Sequence, residues 1–261
     1  MIEKNKVYLM DAVEFLRKLP DNSVDLILSD PPYNIDFSKY DNLTDSTGRK
    51  YHNVNNLKWD LKENIDLKVM GELLFKEFDR VVKESGSVII FGPQEWAYYY
   101  YEPAKKNSFD LKCQIVWEKS NPIPQHRKKN YRSAHENIVW FARYNEKKVP
   151  FTFNFINQQE MKNIFSFPIL GGVERLRDDD SNQSLHPTQK PLELIRKLVQ
   201  IHSNKGDLVV DMFMGSGTTA LACRQLKRDF MGCDIDQKYV DMANNRVEEY
   251  KKQKGVFDYE T

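Results

Sequence analysis

Short runs of β-branched and apolar residues alternate along the chain with segments in which apolar residues recur at helical spacing. This alternation is typical of an α/β protein with a mostly parallel sheet. Helical spacing predicts helices over residues 66–83, 192–202 and 237–250, and Gly86 is expected to end the first. The apolar runs predict seven strands, at residues 6–10, 24–29, 87–91, 112–117, 137–141, 207–212 and 229–233.

Two long stretches, residues 34–60 and 143–190, follow neither period. Long irregular segments inside a compact domain are usually functional loops or disordered segments. We find no internal repeat and no glycine-serine linker, so we expect one catalytic domain over residues 1–261. Within it, we interpret residues 34–60 as a substrate loop and about 120–185 as a target-recognition region.

Composition narrows the class of protein. The 261 residues are 40% hydrophobic and 30% charged, which is ordinary for a globular protein with a core. No apolar run approaches the roughly 20 residues that span a bilayer, and the first residues lack the apolar core of a secretion signal. We therefore expect a soluble, cytoplasmic protein. Three cysteines without a C-x-x-C pair support neither a disulfide framework nor a zinc site, so no metal is expected.

Charge is distributed unevenly, although the net charge is only +1. Residues 105–148 hold eleven Lys or Arg against four Asp or Glu, so this segment carries seven excess positive charges and the remainder six excess negative charges. A basic surface of this kind suits a polyanion such as DNA, and a solvated charged face explains the charge equally well.

A stiff tetrapeptide, Asp30-Pro31-Pro32-Tyr33, follows an apolar strand. Each proline fixes its own φ and favours extended geometry in the residue before it. The prolines also lack N–H groups while keeping their carbonyls, so the segment is rich in hydrogen-bond acceptors. An acceptor site beside an aromatic ring suits a planar group that carries an NH₂. A strand-ending turn with a capping Asp is the alternative.

A glycine-rich turn follows another predicted strand near the carboxyl end. Gly215, Gly217 and Ala220 fit the pattern G-x-G-x-x-G/A, and the next strand ends near Asp234 and Asp236, where an acid can bind ribose hydroxyls. Only one further strand and helix follow, which disfavours a dinucleotide site. The pattern therefore favours a cofactor that contains adenosine.

These two segments face one cleft if the strands ending at Asp30 and Asp211 are neighbours at the switch point of the sheet. In that arrangement, the strand that ends at Asp11 lies beside residues 229–233. The chain is then a circularly permuted doubly wound domain.

With these motifs in this order, the sequence resembles the S-adenosylmethionine-dependent amino-methyltransferases of DNA. It is similar to their permuted β class, in which Asp-Pro-Pro-Tyr precedes Phe-x-Gly-x-Gly, here Phe213 to Gly217. A third match, His186-Pro-Thr-Gln-Lys-Pro191, stands just before the glycine turn. The resemblance covers nearly the whole chain, including residues 117–122, 135–136 and 172–176. It is nearest to small adenine-N6 enzymes of type II restriction-modification systems.

The resemblance implies a role for each matching residue. Asp30, Pro31, Pro32 and Tyr33 would form the catalytic motif, because the Asp30 carboxylate and the Pro31 carbonyl would accept hydrogen bonds from a flipped-out adenine amine. S-adenosylmethionine would be bound by Asp11, Asp30, Thr188, Lys190, Asp211, Phe213, Gly215, Gly217, Thr218 and Asp234. Double-stranded DNA, and also single strands, would contact Gln125, Arg127, Lys128, Lys129, Arg132, Arg175 and Arg177.

Other functions stay open at this point. An N4-cytosine methyltransferase is the nearest alternative, and Asp at position 30 favours adenine only through the family resemblance. An RNA or protein-glutamine methyltransferase and a non-catalytic DNA-binding module are more distant. The sequence leaves open whether the protein forms a homodimer and whether a cognate restriction endonuclease accompanies it.

Overall fold

A computed structural model describes residues 2–33, 66–124, 128–144, 150–171, 174–178, 182 and 184–257. The predicted substrate loop at 34–60, together with Gln125 and Arg127, lies outside these residues. The strands are β1 (Lys6–Leu9), β2 (Val24–Ser29), β3 (Val82–Gly92), β4 (Phe109–Lys119), β5 (His135–Arg143), β6 (Ile164–Phe167), β7 (Leu208–Asp211) and β8 (Asp229–Asp234). The helices are α1 (Ala12–Lys18), α2 (Leu67–Val81), α3 (Glu102–Lys106), α4 (Leu192–His202), α5 (Thr218–Gln225) and α6 (Gln237–Phe257), with a π-helical turn at Ala97–Tyr101.

All eight strands join one mixed sheet in the order β1-β8-β7-β2-β3-β5-β4-β6. The first five of these strands are parallel, β5 is antiparallel to both of its neighbours, and β6 runs parallel to β4. The sheet therefore presents the carboxyl ends of all strands except β5 at one edge, together with the amino end of β5. This edge also carries the Asp30 and Asp211 segments.

Both predicted strand neighbourhoods are confirmed. Strand β2 pairs in parallel with β7, so the residues that follow Ser29 and Val210 start side by side. Strand β1 pairs in parallel with β8, and Leu9 lies opposite Asp234. The first and last strands of the chain are therefore neighbours, with α6 packed beside them.

Helices cover both faces of the sheet, because the buried strands are apolar on both sides. One core holds Leu26 and Ile89 of the strands and the buried faces of α4, α5 and α6. The other holds Ile27 and Val88, which point to the opposite face, and packs against α1 and α2. Asp11 and Asp66 are the N-caps of α1 and α2, and their side chains accept hydrogen bonds from backbone N–H groups of the first turn.

Three features differ from the prediction. The sheet has an eighth strand, β6, in the stretch that showed no period; four residues with alternating exposure are too few to give a clear pattern. Helix α2 ends at Val81 and β3 begins at the next residue, so Gly86 lies inside a strand and does not end the helix. Helix α6 continues to Phe257. Within the described residues, no helix is long and apolar enough to cross a membrane.

Candidate active site

A cleft of about 1580 Å³ opens at the edge where the parallel strands end. Both sequence motifs line it, because β2 and β7 are adjacent. Of the catalytic and cofactor residues predicted from the sequence, every one except Gly217 is at its surface. Two groups of residues form its sides. We call residues 211–218 with Asp234 the glycine wall, and Asp30, Lys119, Glu136 and Lys190 the charged wall.

Asp30 is held from both sides of its carboxylate. Tyr33 donates its hydroxyl to Oδ1 at 2.7 Å, and the Lys190 ammonium donates to Oδ2. The two prolines between Asp30 and Tyr33 are buried and restrict the backbone. The segment is therefore a rigid turn that holds the Tyr33 hydroxyl against the Asp30 carboxylate. Both oxygens of Asp30 therefore already have a donor.

Lys190 joins Asp30 to a second carboxylate that the sequence analysis did not select. Its Nζ lies 3.5 Å from Oε2 of Glu136, and Lys119 Nζ lies 2.9 Å from Oε1 of the same residue. Glu136 is the second residue of β5 and Lys119 is the last residue of β4, and these two strands pair directly. The ammonium of Lys190 also lies over the rings of Phe91 and Tyr33, at 5.1 and 5.8 Å from the ring centres.

Burial and charge act against each other in the charged wall. Burial raises the pKa of Asp30 above its usual value, and the adjacent Lys190 only partly offsets this. Burial opposes ionisation of Glu136 as well, but Lys190 and Lys119 together hold the pKa of Glu136 below its usual value. Burial would also lower the pKa of Lys190, yet the two carboxylates hold it above the usual value. Lys190 is therefore an ammonium shared by two acids.

Asp211 connects the two walls. Ser29 immediately precedes Asp30, and its hydroxyl donates to Oδ1 of Asp211 at 2.5 Å. The backbone N–H of Phe213 donates to the same Asp211 oxygen at 3.1 Å. Burial raises the pKa of Asp211 to about 6, although these hydrogen bonds favour its ionised form. Its carboxylate thus braces the start of both motifs.

The glycine wall takes its shape from two residues with positive φ, Gly215 at 50° and Gly217 at 76°. Gly215 donates its N–H to Oδ2 of Asp234 at 2.9 Å, which fixes the turn against the end of β8. Gly217 faces away from the cleft, because a Cβ there would meet Cα of Ala243 in α6 at 2.6 Å. The missing side chain of Gly217 lets α6 pack closely, and the approach of its backbone to the cofactor stays a prediction.

Two of the remaining predicted cofactor residues, Asp11 and Thr218, already have hydrogen-bond partners inside the protein. Asp11 caps α1, accepting from the N–H groups of Val13 and Glu14 at 2.9 and 3.1 Å. Thr218 begins α5 and contacts Arg246 at 3.1 Å. Phe213 and Thr188 also line the cleft, and Phe213 packs partly against the core. Asp11 therefore lies both at a helix cap and at the cleft surface.

The predicted DNA-binding residues divide into exposed and internally bonded ones. Lys128 and Lys129 are exposed on the loop between β4 and β5, and Arg132 donates to the carbonyl of Pro122 in the same loop. Arg175 is half-buried and donates to Ser184 and to the carbonyls of Leu170 and Pro187 at 3.0 to 3.4 Å. Its guanidinium ties two loops together, so the structure gives it an internal role and leaves base reading a prediction. Arg177 donates to the carbonyl of Asn182 at 2.9 Å.

Comparison with known proteins assigns the chain to a family. The family model for N6 and N4 methyltransferases, described as DNA methylase, matches residues 24–245. The chain belongs to this DNA methylase family. This methylase is 31% identical over 255 residues to the type II methyltransferase M.HinfI of Haemophilus influenzae, a match that covers 95% of the chain and 69% of the relative. It is 29% identical to the type II methyltransferase M2.MboI of Moraxella bovis, with 95% and 89% covered.

Solved structures agree with this assignment. The methylase superposes on the M1.HpyAVI complex with SAM with a TM-score of 0.65, at 27% identity, covering 93% of the chain and 98% of that structure. It also superposes on the cytosine-N4-specific PvuII DNA methyltransferase with a TM-score of 0.63, covering 94% and 87%. At 17% identity, the second match shows a shared fold alone.

The cleft of the methylase fits S-adenosylmethionine by the chemistry of its lining. Asp234 and Asp236 stand at the end of β8, where carboxylates can accept hydrogen bonds from ribose hydroxyls. Phe213 offers an aromatic face, and Lys190 offers a cation for a carboxylate. Acids, an aromatic ring and a cation therefore line one cleft, as a zwitterionic nucleoside requires.

Sequence reasoning missed three polar residues of this methylase cleft. Ser29 stands beside the acidic motif but was interpreted only as the end of a strand. Glu136 and Lys119 belong to stretches that resemble the family, yet no role was assigned to them. A charged residue at the end of an apolar run that otherwise predicts a buried strand is the signal that could have identified both.

Proposed function

We propose that this methylase transfers a methyl group from S-adenosylmethionine to the exocyclic N6 amine of adenine within a short DNA sequence. The observation that carries the proposal is the position of Asp30 and the glycine wall at one cleft, joined through the hydrogen bond from Ser29 to Asp211. Family membership supports DNA as the substrate. Asp at position 30 supports adenine through the family resemblance.

When bound, S-adenosylmethionine supplies an electrophilic methyl group, whose bond to sulfur breaks as a bond to the amine nitrogen forms. The amine of adenine is a weak nucleophile, because its lone pair is delocalised into the ring. The Asp30 carboxylate and the Pro31 carbonyl are acceptors on one rigid segment. Hydrogen bonds to them would hold both N–H groups and stabilise the positive charge that develops on nitrogen. Asp30 is also the acceptor for the proton that the nitrogen loses.

Tyr33 and the cleft around it would hold the target base. The tyrosine ring is partly buried against the core, and its hydroxyl is fixed on Asp30. Burial and the Asp30 charge raise the pKa of Tyr33 well above its usual value, so the hydroxyl stays protonated and acts as a donor. A base inside a duplex cannot reach this position, so the nucleotide must leave the stack at a cost of a few kcal/mol. Single-stranded DNA avoids this cost.

Methyl transfer to DNA tests the proposal directly. With labelled S-adenosylmethionine, label is expected in N6-methyladenine, and sequencing that detects modified bases would give the target sequence. Asp30→Ala is expected to abolish turnover, since it removes the acceptor for the amine. Label in cytosine would establish the N4 alternative, because the family includes both N6 and N4 enzymes. Label only in RNA or protein would refute both.

Partners and location follow from the same proposal. Type II methyltransferases are among the relatives, which supports a restriction endonuclease of matching specificity as a partner. A DNA substrate supports the cytoplasm as the location that we propose. The sequence leaves the homodimer open, and sedimentation would measure the oligomeric state.

A further inference from the structure

Glu136 has one oxygen that is buried and lacks a hydrogen bond among the described residues. This atom, Oε2, lies 3.5 Å from Lys190 Nζ, while Oε1 is held by Lys119 at 2.9 Å. A buried carboxylate oxygen without a donor is costly and rarely retained without a use. It faces an ammonium that is currently bound more closely to Asp30.

The reaction requires an oxygen of Asp30 that is free to accept the target amine. In the structure, Tyr33 occupies Oδ1 and Lys190 occupies Oδ2. Releasing Lys190 into a buried cleft without another anion would cost several kcal/mol, because an unpaired buried charge is strongly unfavourable. The ammonium therefore needs a second anion within a short movement. The cofactor carboxylate that Lys190 is predicted to bind is one such anion, and Glu136 is one that the protein itself supplies before any ligand binds.

Glu136 meets this requirement geometrically. The flexible four-carbon chain of Lys190 lets Nζ move a short way, while the rings of Phe91 and Tyr33 limit where it can go. Moving from Asp30 to Oε2 keeps the ammonium paired throughout. Lys119 keeps Glu136 ionised, so the second acceptor is ready before the substrate binds.

We infer that Glu136 is a positioning residue that receives the Lys190 ammonium when the target amine binds to Asp30. The inference rests on the proposed function, since it concerns how Asp30 becomes available to the amine. Glu136 acts through Lys190 and contacts neither base nor methyl group. Its role is to keep the Lys190 ammonium paired with a carboxylate while the target amine replaces that ammonium as a donor to Asp30, so that no buried charge is left unpaired.

The charged and titratable groups around Asp30 are known, which makes the pH dependence interpretable. Lys190, Glu136, Tyr33 and Asp211 act on or are affected by Asp30. Glu136 raises the pKa of Asp30 by its negative charge. Replacing it with Gln therefore moves the ionisation of Asp30 to lower pH. If Glu136 acted on Asp30 only through its charge, the plateau of the pH profile, where Asp30 is fully ionised, would keep the same rate.

The test compares Glu136→Gln with Glu77→Gln in methyl transfer to adenine-containing DNA. Glu77 is a matched control, because it also pairs with two cations, Arg80 at 3.1 Å and Arg17 at 3.5 Å, outside the cleft. We expect Glu136→Gln to lower kcat by about 10- to 100-fold without a matching rise in the KM for DNA. The acid limb of the pH profile should move to lower pH, and Glu136→Asp should recover part of kcat. The control variant, Glu77→Gln, should change neither kcat nor the position of the acid limb.

Three results would overturn the inference: an unchanged plateau kcat, an unmoved acid limb, or an equal loss in the control. If Glu136→Gln does not fold, Lys119→Met decides, because it removes a cation that keeps Glu136 ionised. Near neutral pH kcat should fall and should recover as pH rises; an unchanged kcat overturns the role. Carbon-13 NMR of the Asp30 carboxyl in cofactor-free protein, with Asp30→Asn for assignment, tests the coupling to Glu136 separately. If wild type methylates no adenine, the proposed function fails, and this NMR titration still tests the contact.

Discussion

The two walls of the cleft are built by different means. The glycine wall comes from one short turn and the end of β8, and the hydrogen bonds described above to its two carboxylates, Asp211 and Asp234, come from neutral donors: backbone N–H groups and the Ser29 hydroxyl. The charged wall gathers four residues from positions 30, 119, 136 and 190, held by ion pairs. Backbone shape is thus encoded locally, whereas charge placement depends on the order of strands in the sheet.

Gly217→Ala should break the glycine wall and have the largest effect on stability. The new Cβ would meet Cα of Ala243 at 2.6 Å, and φ of 76° is unfavourable for alanine. Left-handed geometry and overpacking together predict a loss of about 3 kcal/mol in the free energy of unfolding. Urea denaturation measures this loss.

Gly206→Ala provides the control for that prediction. Gly206 has φ of 85°, but nothing lies within 4 Å of where its Cβ would be. Only the backbone cost of about 1 kcal/mol is expected. Equal losses in the two variants would show that close packing of α6 does not shape the wall.

Ser29→Ala tests the bond that joins the walls, with an expected loss of about 1–3 kcal/mol near neutral pH. The pKa of Asp211, about 6 in the folded protein, lies above its ordinary value of 3.8. The folded state therefore binds this proton more tightly, and the contribution of Asp211 to stability falls as pH rises from 3.8 through 6. Because Ser29 stabilises the ionised form, the loss in Ser29→Ala should grow as pH rises through about 6, where Asp211 ionises in the folded wild type.

Ser87→Ala is the matched variant for Ser29→Ala. Its buried hydroxyl accepts from the Trp140 indole at 3.0 Å, and neither group titrates in this range. Its loss should therefore not change between pH 4 and 7. A parallel pH dependence in both variants would disprove the special role of the Asp211 contact.

The double variant Lys128→Gln with Lys129→Gln tests whether the loop that follows Lys119 of the charged wall contacts DNA. Of the predictions made here, it has the smallest expected effect. If both lysines neutralise phosphates, DNA binding should weaken at all sequences, and the slope of log affinity against log salt should decrease by about 0.9 per contact. Lys105→Gln with Lys106→Gln, on α3 at the opposite edge of the sheet, should leave the slope unchanged. Equal slopes for wild type and the first pair would remove the loop from the interface.

The fold was largely predictable from sequence because its strands are buried on both faces. Apolar runs such as residues 24–29 and 207–212 predicted β2 and β7, and the two motifs that follow them indicated that these strands are neighbours. The pairing of β1 with β8 followed from the same argument. Strand β6 was missed, because four residues of alternating exposure are too few to give a clear periodic signal.

The site was predictable where its residues share a motif. Asp30 and Gly215 were found because the chemistry stands beside a strand end. Glu136 and Lys119 were not, because their meeting with Lys190 depends on β5 running antiparallel between β3 and β4. The packing role of Gly217 was not predicted for a similar reason: its neighbour Ala243 lies 26 residues away in α6.

The reversed direction of β5 has a consequence for protein engineering. Because β4 ends and β5 begins at the catalytic edge, residues 120–134 leave and re-enter the sheet at adjacent positions, with Lys119 N–H bound to the Ala134 carbonyl at 2.8 Å. A segment anchored in this way can be exchanged or lengthened without altering the strand order. Chimeras that carry this segment from a relative of different target sequence would show whether specificity is transplantable as a unit while the chemistry stays in place.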